Sequence, residues 1–289
     1  MHDRLGERAL ADRITIGAEV RDVAAEFLAQ QTIVYVSALV KAKVWVSALT
    51  GDPGFARAVN PREVAITARP TAGDPLAGAL AAGRRVGVLA IEPATRRRMR
   101  FNGRARQTSS GLAIQLDQVY ANCPRFIQKR SPGLAAETDA SAPVTTSMLT
   151  ERHVHWLGSA DTFLIGTADL DGNADASHRG GSPGFVDVLG PGHFRFPDYA
   201  GNHMYMTLGN LEVQPAAGFL FVDWDTGSTL QITGAATVDY DPARAESEFP
   251  GAARVVDVVV ASVVETAGRL PRAWTAPGYS RFNPRTRRT

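Results

Sequence analysis

The sequence repeats itself once, at a spacing near 130 residues. SALTGDPGF at 47–55 matches SHRGGSPGF at 177–185, which places Ser47 on Ser177, Leu49 on Arg179 and Gly51 on Gly181. Downstream, VGVLAIEPATRRRMRFNGRA (86–105) aligns with AGFLFVDWDTGSTLQITGAA (217–236), so that Leu89 meets Leu220 and Gly103 meets Gly234. Upstream, IVYVSA (33–38) lies over FLIGTA (163–168). A duplication on this scale makes each half a folding unit with its own core. The units are read as 1–130 and 148–275, joined by the linker SPGLAAETDASAPVTTS (131–147), which is rich in Pro, Ala, Ser and Thr and has no apolar period, and followed by a basic tail at 276–289, of which RFNPRTRR (281–288) is expected to be solvent-exposed.

Within each unit the apolar runs are short, rich in Val, Ile and Phe, and separated by turn residues, the pattern of antiparallel strands; FLIGTADLDGNADAS reads as a hairpin with an Asp-Gly turn. Helical stretches are expected only at 20–31, 74–83, 150–158 and 203–213. The fold class is therefore mainly β, an antiparallel barrel or sandwich in each half. In RRRMRFNGRAR, strand alternation puts Arg96, Arg98, Arg100, Arg104 and Arg106 on one face, which is expected to lie outward or at an interface.

The net charge of +2 is divided unevenly, +7 on residues 1–150 and −5 on 151–289. Oppositely charged halves that pack together explain this better than a nucleic-acid surface, because no aromatics interleave the basic strand for base stacking. No apolar run has membrane-spanning length, since the richest, Val255 to Val264, contains Asp257, and the N-terminus carries no export-signal core. Cys123 is the only cysteine, so the chain forms no internal disulfide, and a cytoplasmic location is the expectation. His153 and His155 point apart on a helix and are not read as metal ligands; Asp169, Asp171 and Asp175 belong to a hairpin rather than a calcium loop, so no metal site is expected.

The second unit carries the most chemistry. Arg179 offers a fork-shaped cation, and Gly180 and Gly181 would let backbone amides approach an anion. SHRGGSPGFVDVL, FRFPDYAGNHMYMTLGNLEVQPAAGFLFVDW and LQITGAA together resemble the pyridoxamine 5′-phosphate oxidase-like, FMN-binding split-barrel proteins, in the subgroup with an Arg-Gly-Gly-Pro-Pro-Gly-Phe type turn; Ser182 stands where that subgroup often has Pro. The resemblance implies two tandem split β-barrels of Greek-key antiparallel type, forming an intrachain pseudo-dimer. It implies FMN held by Ser177, Arg179, Gly180 and Gly181, with Phe196, Pro197, Asp198 and Tyr199 along the flavin and Asn202 and His203 near its phosphate. Asn210 and Trp224 are further cofactor candidates, and Asn122 and Cys123 carry the Asn-Cys-Pro motif of the subgroup. Tyr199, His203 and His178 are the candidates for proton delivery.

The two motifs lie in opposite halves. The first repeat has Leu49 at the Arg179 position and Asp74 at the Asn202 position, so its own pocket is expected to be dead. One composite site per chain follows, with a phosphate turn from 177–203 and a wall from 119–126. The implied function is an FMN-dependent oxidoreductase that takes a small-molecule substrate and a reductase as electron donor, as a monomeric pseudo-dimer or a homodimer, with no nucleic-acid or membrane partner. F420 or haem in the same fold, or a non-catalytic flavin carrier or sensor, are the alternatives.

Overall fold

The computed structural model describes residues 16–80, 83–135, 141–201, 203–270 and 272–284. A helix, α1 (Asp22–Ala29), precedes seven strands: β1 (Ile33–Val40), β2 (Lys43–Thr50), β3 (Ala56–Asn60), β4 (Glu63–Ile66), β5 (Arg84–Glu92), β6 (Arg97–Gln107) and β7 (Leu112–Ala121). Two short strands, β8 (Pro132–Ala135) and β9 (Val144–Thr146), lead to α2 (Glu151–Ser159). The second half then runs β10 (Thr162–Ala168), β11 (Ala174–Gly180), β12 (Asp187–Gly190), β13 (His193–Tyr199), α3 (Met206–Val213), β14 (Ala216–Val222), β15 (Thr229–Asp239), α4 (Pro242–Glu248), β16 (Ala252–Thr266) and β17 (Arg272–Trp274).

Both large sheets are antiparallel and have one strand order. The first is β2-β1-β5-β6-β7-β4-β3 and the second β11-β10-β14-β15-β16-β13-β12, so each strand of one half has its counterpart in the same place in the other. Each barrel fills its own interior. Phe27, Val34, Val36, Leu49, Phe55, Ile66, Val88 and Phe101 pack in the first. In the second, Phe163 lies within 5–6 Å of the rings of Phe185, Phe196, Phe219 and Phe221.

The opposite faces of the central strands meet across the molecule. Ile33, Tyr35, Val46, Leu89 and Ile91 pack with Leu164, Ala176, Leu220 and Val222 in a shared third core. With both faces buried, β1 and β10 are almost continuously apolar rather than alternating. The approach is tightest at two equivalent glycines: a Cβ on Gly87 would come within 2.5 Å of the Asp175–Ala176 backbone, and one on Gly218 within 2.4 Å of the Val44 carbonyl. Two buried ion pairs cross the same boundary, Arg100–Asp175 at 2.7 Å and Arg130–Asp161 at 2.6 Å, each joining an arginine of the basic half to an aspartate of the acidic half.

Two sequence expectations need correction, the helix at 74–83 and the placement of Arg96. Residues 74–80 form turns rather than a helix, because the Asp74 carboxylate accepts the Leu76 amide at 2.8 Å and Gly78 and Gly83 adopt left-handed φ of 69° and 77°. The arginines of β6 do share one face, with Met99, Phe101 and Ala105 opposite them in the first barrel's core. Along that face Arg98 and Arg100 meet the second barrel while Arg104 and Arg106 are exposed; Arg96 alone departs from it, sitting in the preceding turn at φ 56°. In the 281–288 stretch Arg281 and Phe282 are exposed as expected, Asn283 and Pro284 are half-buried with the Pro284 carbonyl accepting the Ser182 hydroxyl at 3.3 Å, and 285–288 lie outside the described residues. The linker is paired at its ends, β8 with β17 and β9 with β16.

Candidate functional site

Where β6 and the chain leaving β7 meet β11 and β13, the barrels leave a cleft enclosing about 70 Å³. The first barrel contributes Arg98, Arg100, Cys123, Arg125 and Phe126; the second contributes Ser177, His178, Arg179 and Gly180 from β11, Pro197 to Tyr199 from β13, and the approach to α3 from His203 onward. The 119–126 and 177–203 segments thus line one space. Asn122 stands just behind it, its amide donating to the Met204 sulfur at 3.2 Å. Three of the bordering residues hold left-handed φ without being glycine, Phe126 at 64°, His203 at 57° and Tyr205 at 47°, a backbone conformation costly enough to be kept only where the surroundings enforce it.

Positive charge dominates the floor. Arg100 is balanced: its guanidinium pairs with Asp175, which also accepts the Tyr120 hydroxyl at 2.9 Å and the Asn102 amide at 3.1 Å, and it donates to the Ser177 hydroxyl. Asp198 is held at 2.9 Å by Arg254 of β16, leaving Arg179 only the far contact at 3.7 Å. Arg98 has no carboxylate; one of its η nitrogens donates to His178 Nδ1 at 3.0 Å. Because a guanidinium can only donate, His178 Nδ1 is the acceptor and its proton lies on Nε2. Arg98 Nε, Arg179 Nε and His178 Nε2, and also Arg100 Nε, are buried with no hydrogen-bond partner among the described residues.

The ionisation equilibria register the same surplus. Burial, then the charges of Arg100 and Arg179, lowers Arg98 to about 9. Burial lowers Arg179, and burial followed by Arg98 and Arg179 holds His178 well below the usual histidine range, so the ring is neutral. Beside them Tyr199, 5.3 Å from the Phe126 ring, is pushed up to about 12 by burial and keeps its phenolic proton. Buried donors that lack an acceptor, amid excess positive charge, are the complement of an anion.

The glycines act differently from the amide cradle expected of them. Gly181 donates its N–H to the Asp161 carbonyl at 3.1 Å, and a Cβ there would strike the Phe185 ring at 2.6 Å. A Cβ on Gly180 would lie 2.1 Å from the Phe126 carbonyl. Their small size serves close packing of the turn and of the cleft wall.

Several expected residues lie elsewhere. Phe196 faces the barrel core. Asn210 donates to Thr167 Oγ1 at 3.0 Å and borders a separate cavity of about 280 Å³ with Asn102 and Arg104. Trp224 borders a third cavity, of about 380 Å³, with the Arg130 guanidinium 5.1 Å over its ring. Asn202 falls outside the described residues. His153 caps its own helix and contacts Glu265 at 2.9 Å, and no cluster of three or more potential metal ligands occurs among the described residues. Sequence reasoning missed Arg98, Arg100 and Asp175 as site residues. Their available signal was parity: Arg98, Arg100 and Asn102 alternate on one side of β6, where the second repeat has Thr229, Gln231 and Thr233.

The architecture and cleft define a pair of split β-barrels sharing an interfacial site. Residues 149–272, which include most of the second barrel, match the family model of pyridoxamine 5′-phosphate oxidase. Solved structures similar in fold include a variant of HupZ from Group A Streptococcus, 14% identical over 41% of this chain and 99% of its own, with a TM-score of 0.34. An FMN-binding protein from Syntrophomonas wolfei is 10% identical over 39% and 82%, TM-score 0.30, and a FAD-binding protein from Mesorhizobium loti is 12% identical over 44% and 99%, TM-score 0.31. No curated protein matches the chain.

Proposed function

We propose that the chain is an FMN-dependent oxidoreductase holding one flavin in the interfacial cleft, with the phosphate on the Arg98–His178–Arg179 floor. The observation that carries this reading is the set of three buried donors on those residues with no acceptor among the described residues. A phosphate monoester brings the negative charge and the acceptor oxygens that this floor lacks, and the enclosed volume of about 70 Å³ suits a group of that size. A bound flavin would supply hydride or electron transfer at its ring. The chain's own residues would orient it and exclude water: Pro197 and Tyr199 form one wall, Phe126 and Cys123 the other. Tyr199, still protonated at neutral pH, can donate a hydrogen bond, and His178, neutral and buried, serves the anion as a donor rather than as a base. The substrate is a small molecule admitted at the open side of the cleft, and a reductase would supply electrons. F420 is less well served, because Arg104 and Arg106 lie exposed outside the cleft and leave no continuous basic track for a long anionic tail.

The test is an absorbance spectrum of the purified chain, with release and counting of its chromophore. Close to one FMN per chain is expected; a colourless protein that refuses added FMN, or a Soret band, overturns the reading. Arg179→Ala should weaken FMN binding at least about tenfold, roughly 1.5 kcal/mol for a charge-assisted contact, and Leu49→Ala should leave the stoichiometry unchanged.

A further inference from the structure

The pseudo-twofold relation gives the first barrel a counterpart of the cleft. Ser47 corresponds to Ser177, and Gln231 to Arg100. The contact between them is preserved: as Arg100 donates to Ser177 Oγ, the Gln231 amide donates to Ser47 Oγ, at 3.1 Å. What differs is the space in front of the serine. Ser177 opens on the Arg179 cleft. Ser47 instead donates its hydroxyl to Asp74 Oδ1 at 2.6 Å, and the same oxygen accepts the Leu76 amide at 2.8 Å. Burial raises the Asp74 carboxyl, while Ser47, Leu76, the Arg269 charge and the Gln231 amide oppose that rise. Arg269 is anchored alongside, donating to the Ala48 carbonyl at 3.3 Å.

We infer that the first barrel retains an oxyanion-binding site, the counterpart of the Arg179 cleft, and that the carboxylate of Asp74 is its built-in occupant. The site is built for a small carboxylate: the Ser47 hydroxyl and the Leu76 amide donate to it, the Gln231 amide holds that hydroxyl from behind, and one arginine supplies the charge. It lacks the equivalents of Arg98, His178 and Arg179, which are Thr229, Ala48 and Leu49, so it has cationic strength for a single charge and not for a phosphate dianion. Asp74 is thus more than a group that would repel a ligand. It occupies the ligand's place, and the chain keeps one interfacial site open and one closed by its own side chain. This holds whether or not the Arg179 cleft takes a flavin.

The experiment is chemical rescue of Asp74→Ala in the full chain, read by thermal unfolding. The variant should melt at least roughly 2–4 °C lower than the unsubstituted protein, and formate should restore the loss by mass action at the vacated site. Chloride at equal ionic strength and neutral formamide should not, and formate should raise the unsubstituted protein no more than chloride does. Adding Gln231→Ala should abolish the formate-specific rise. If Asp74→Ala fails to fold alone, refolding with formate should recover native protein where chloride does not. An unchanged melting temperature, or a loss that formate repairs no better than chloride, overturns the inference.

Discussion

Arg98 and His178 show how far one side chain can be pressed in the interest of a ligand. Removing Arg98 by Arg98→Met takes away a buried cation crowded by two others, so the ligand-free protein should become more stable, by about 0.5–2 kcal/mol, while FMN affinity falls. Denaturant unfolding and a flavin titration read the two effects, and a variant that loses both stability and affinity would show that Arg98 is structural. His178 controls the acid side. Its folded pKa lies well below that of the unfolded chain, so as pH drops below about 6.5 the unfolded state takes up a proton that the native state refuses. Stability should therefore be complete above that pH and decline beneath it. His178→Gln, which can still accept from Arg98, should flatten the decline between pH 6.5 and 5 in urea titrations; an unchanged slope would assign the acid sensitivity to other groups.

Among the elements, β11 and β6 decide the site, and they differ in how openly the sequence declares them. The Arg-Gly-Gly turn after β11 stands out by its glycines, although their reason is packing against Phe126 and Phe185 rather than anion contact. Gly180→Ala tests this. The new methyl would meet a carbonyl oxygen, which cannot rotate away as a flexible side chain could, so the 123–126 wall must shift. A loss of about 1–3 kcal/mol in stability and a faster release of bound flavin are expected; a variant with unaltered stability would mean that the wall gives way at no cost. In β6 the strand and its facing were both legible, but not what the basic face meets. Strict alternation predicts one basic face, and only the packing of the two barrels decides that Arg98 and Arg100 are covered while Arg104 and Arg106 are left exposed. The 74–83 stretch failed for a local reason: helical spacing of its leucines and alanines was overridden by the Asp74 turn and by glycines in left-handed backbone.

At the scale of the whole chain, the repeat made the two barrels legible, and the charge asymmetry foretold that the halves attract. Which arginine meets which aspartate was not readable, because such pairs join positions about 30 to 75 residues apart that share no motif. The Arg100–Asp175 pair is the firmest of these connections. Asp175 comes from the second barrel, and Arg100, Tyr120 and Asn102, which all converge on it, come from the first. Asp175→Ala would leave the Arg100 guanidinium buried without a counterion, which costs about 3–5 kcal/mol, more than surface pairs return. Replacing both partners, Arg100→Met with Asp175→Leu, removes the stranded charge and should recover much of that loss, so the double variant should be more stable than Asp175→Ala alone. Because the pair ties one barrel to the other across their common core, the single variant should also separate the unfolding of the halves. Trp45 reports on the first and Trp156 on the second, and retaining one tryptophan at a time should give coincident denaturation curves in the parent and displaced curves in Asp175→Ala. Coincident curves with a loss below about 1 kcal/mol would show that the apolar interface of Tyr35, Leu89, Leu164 and Leu220 holds the barrels together without the ion pair.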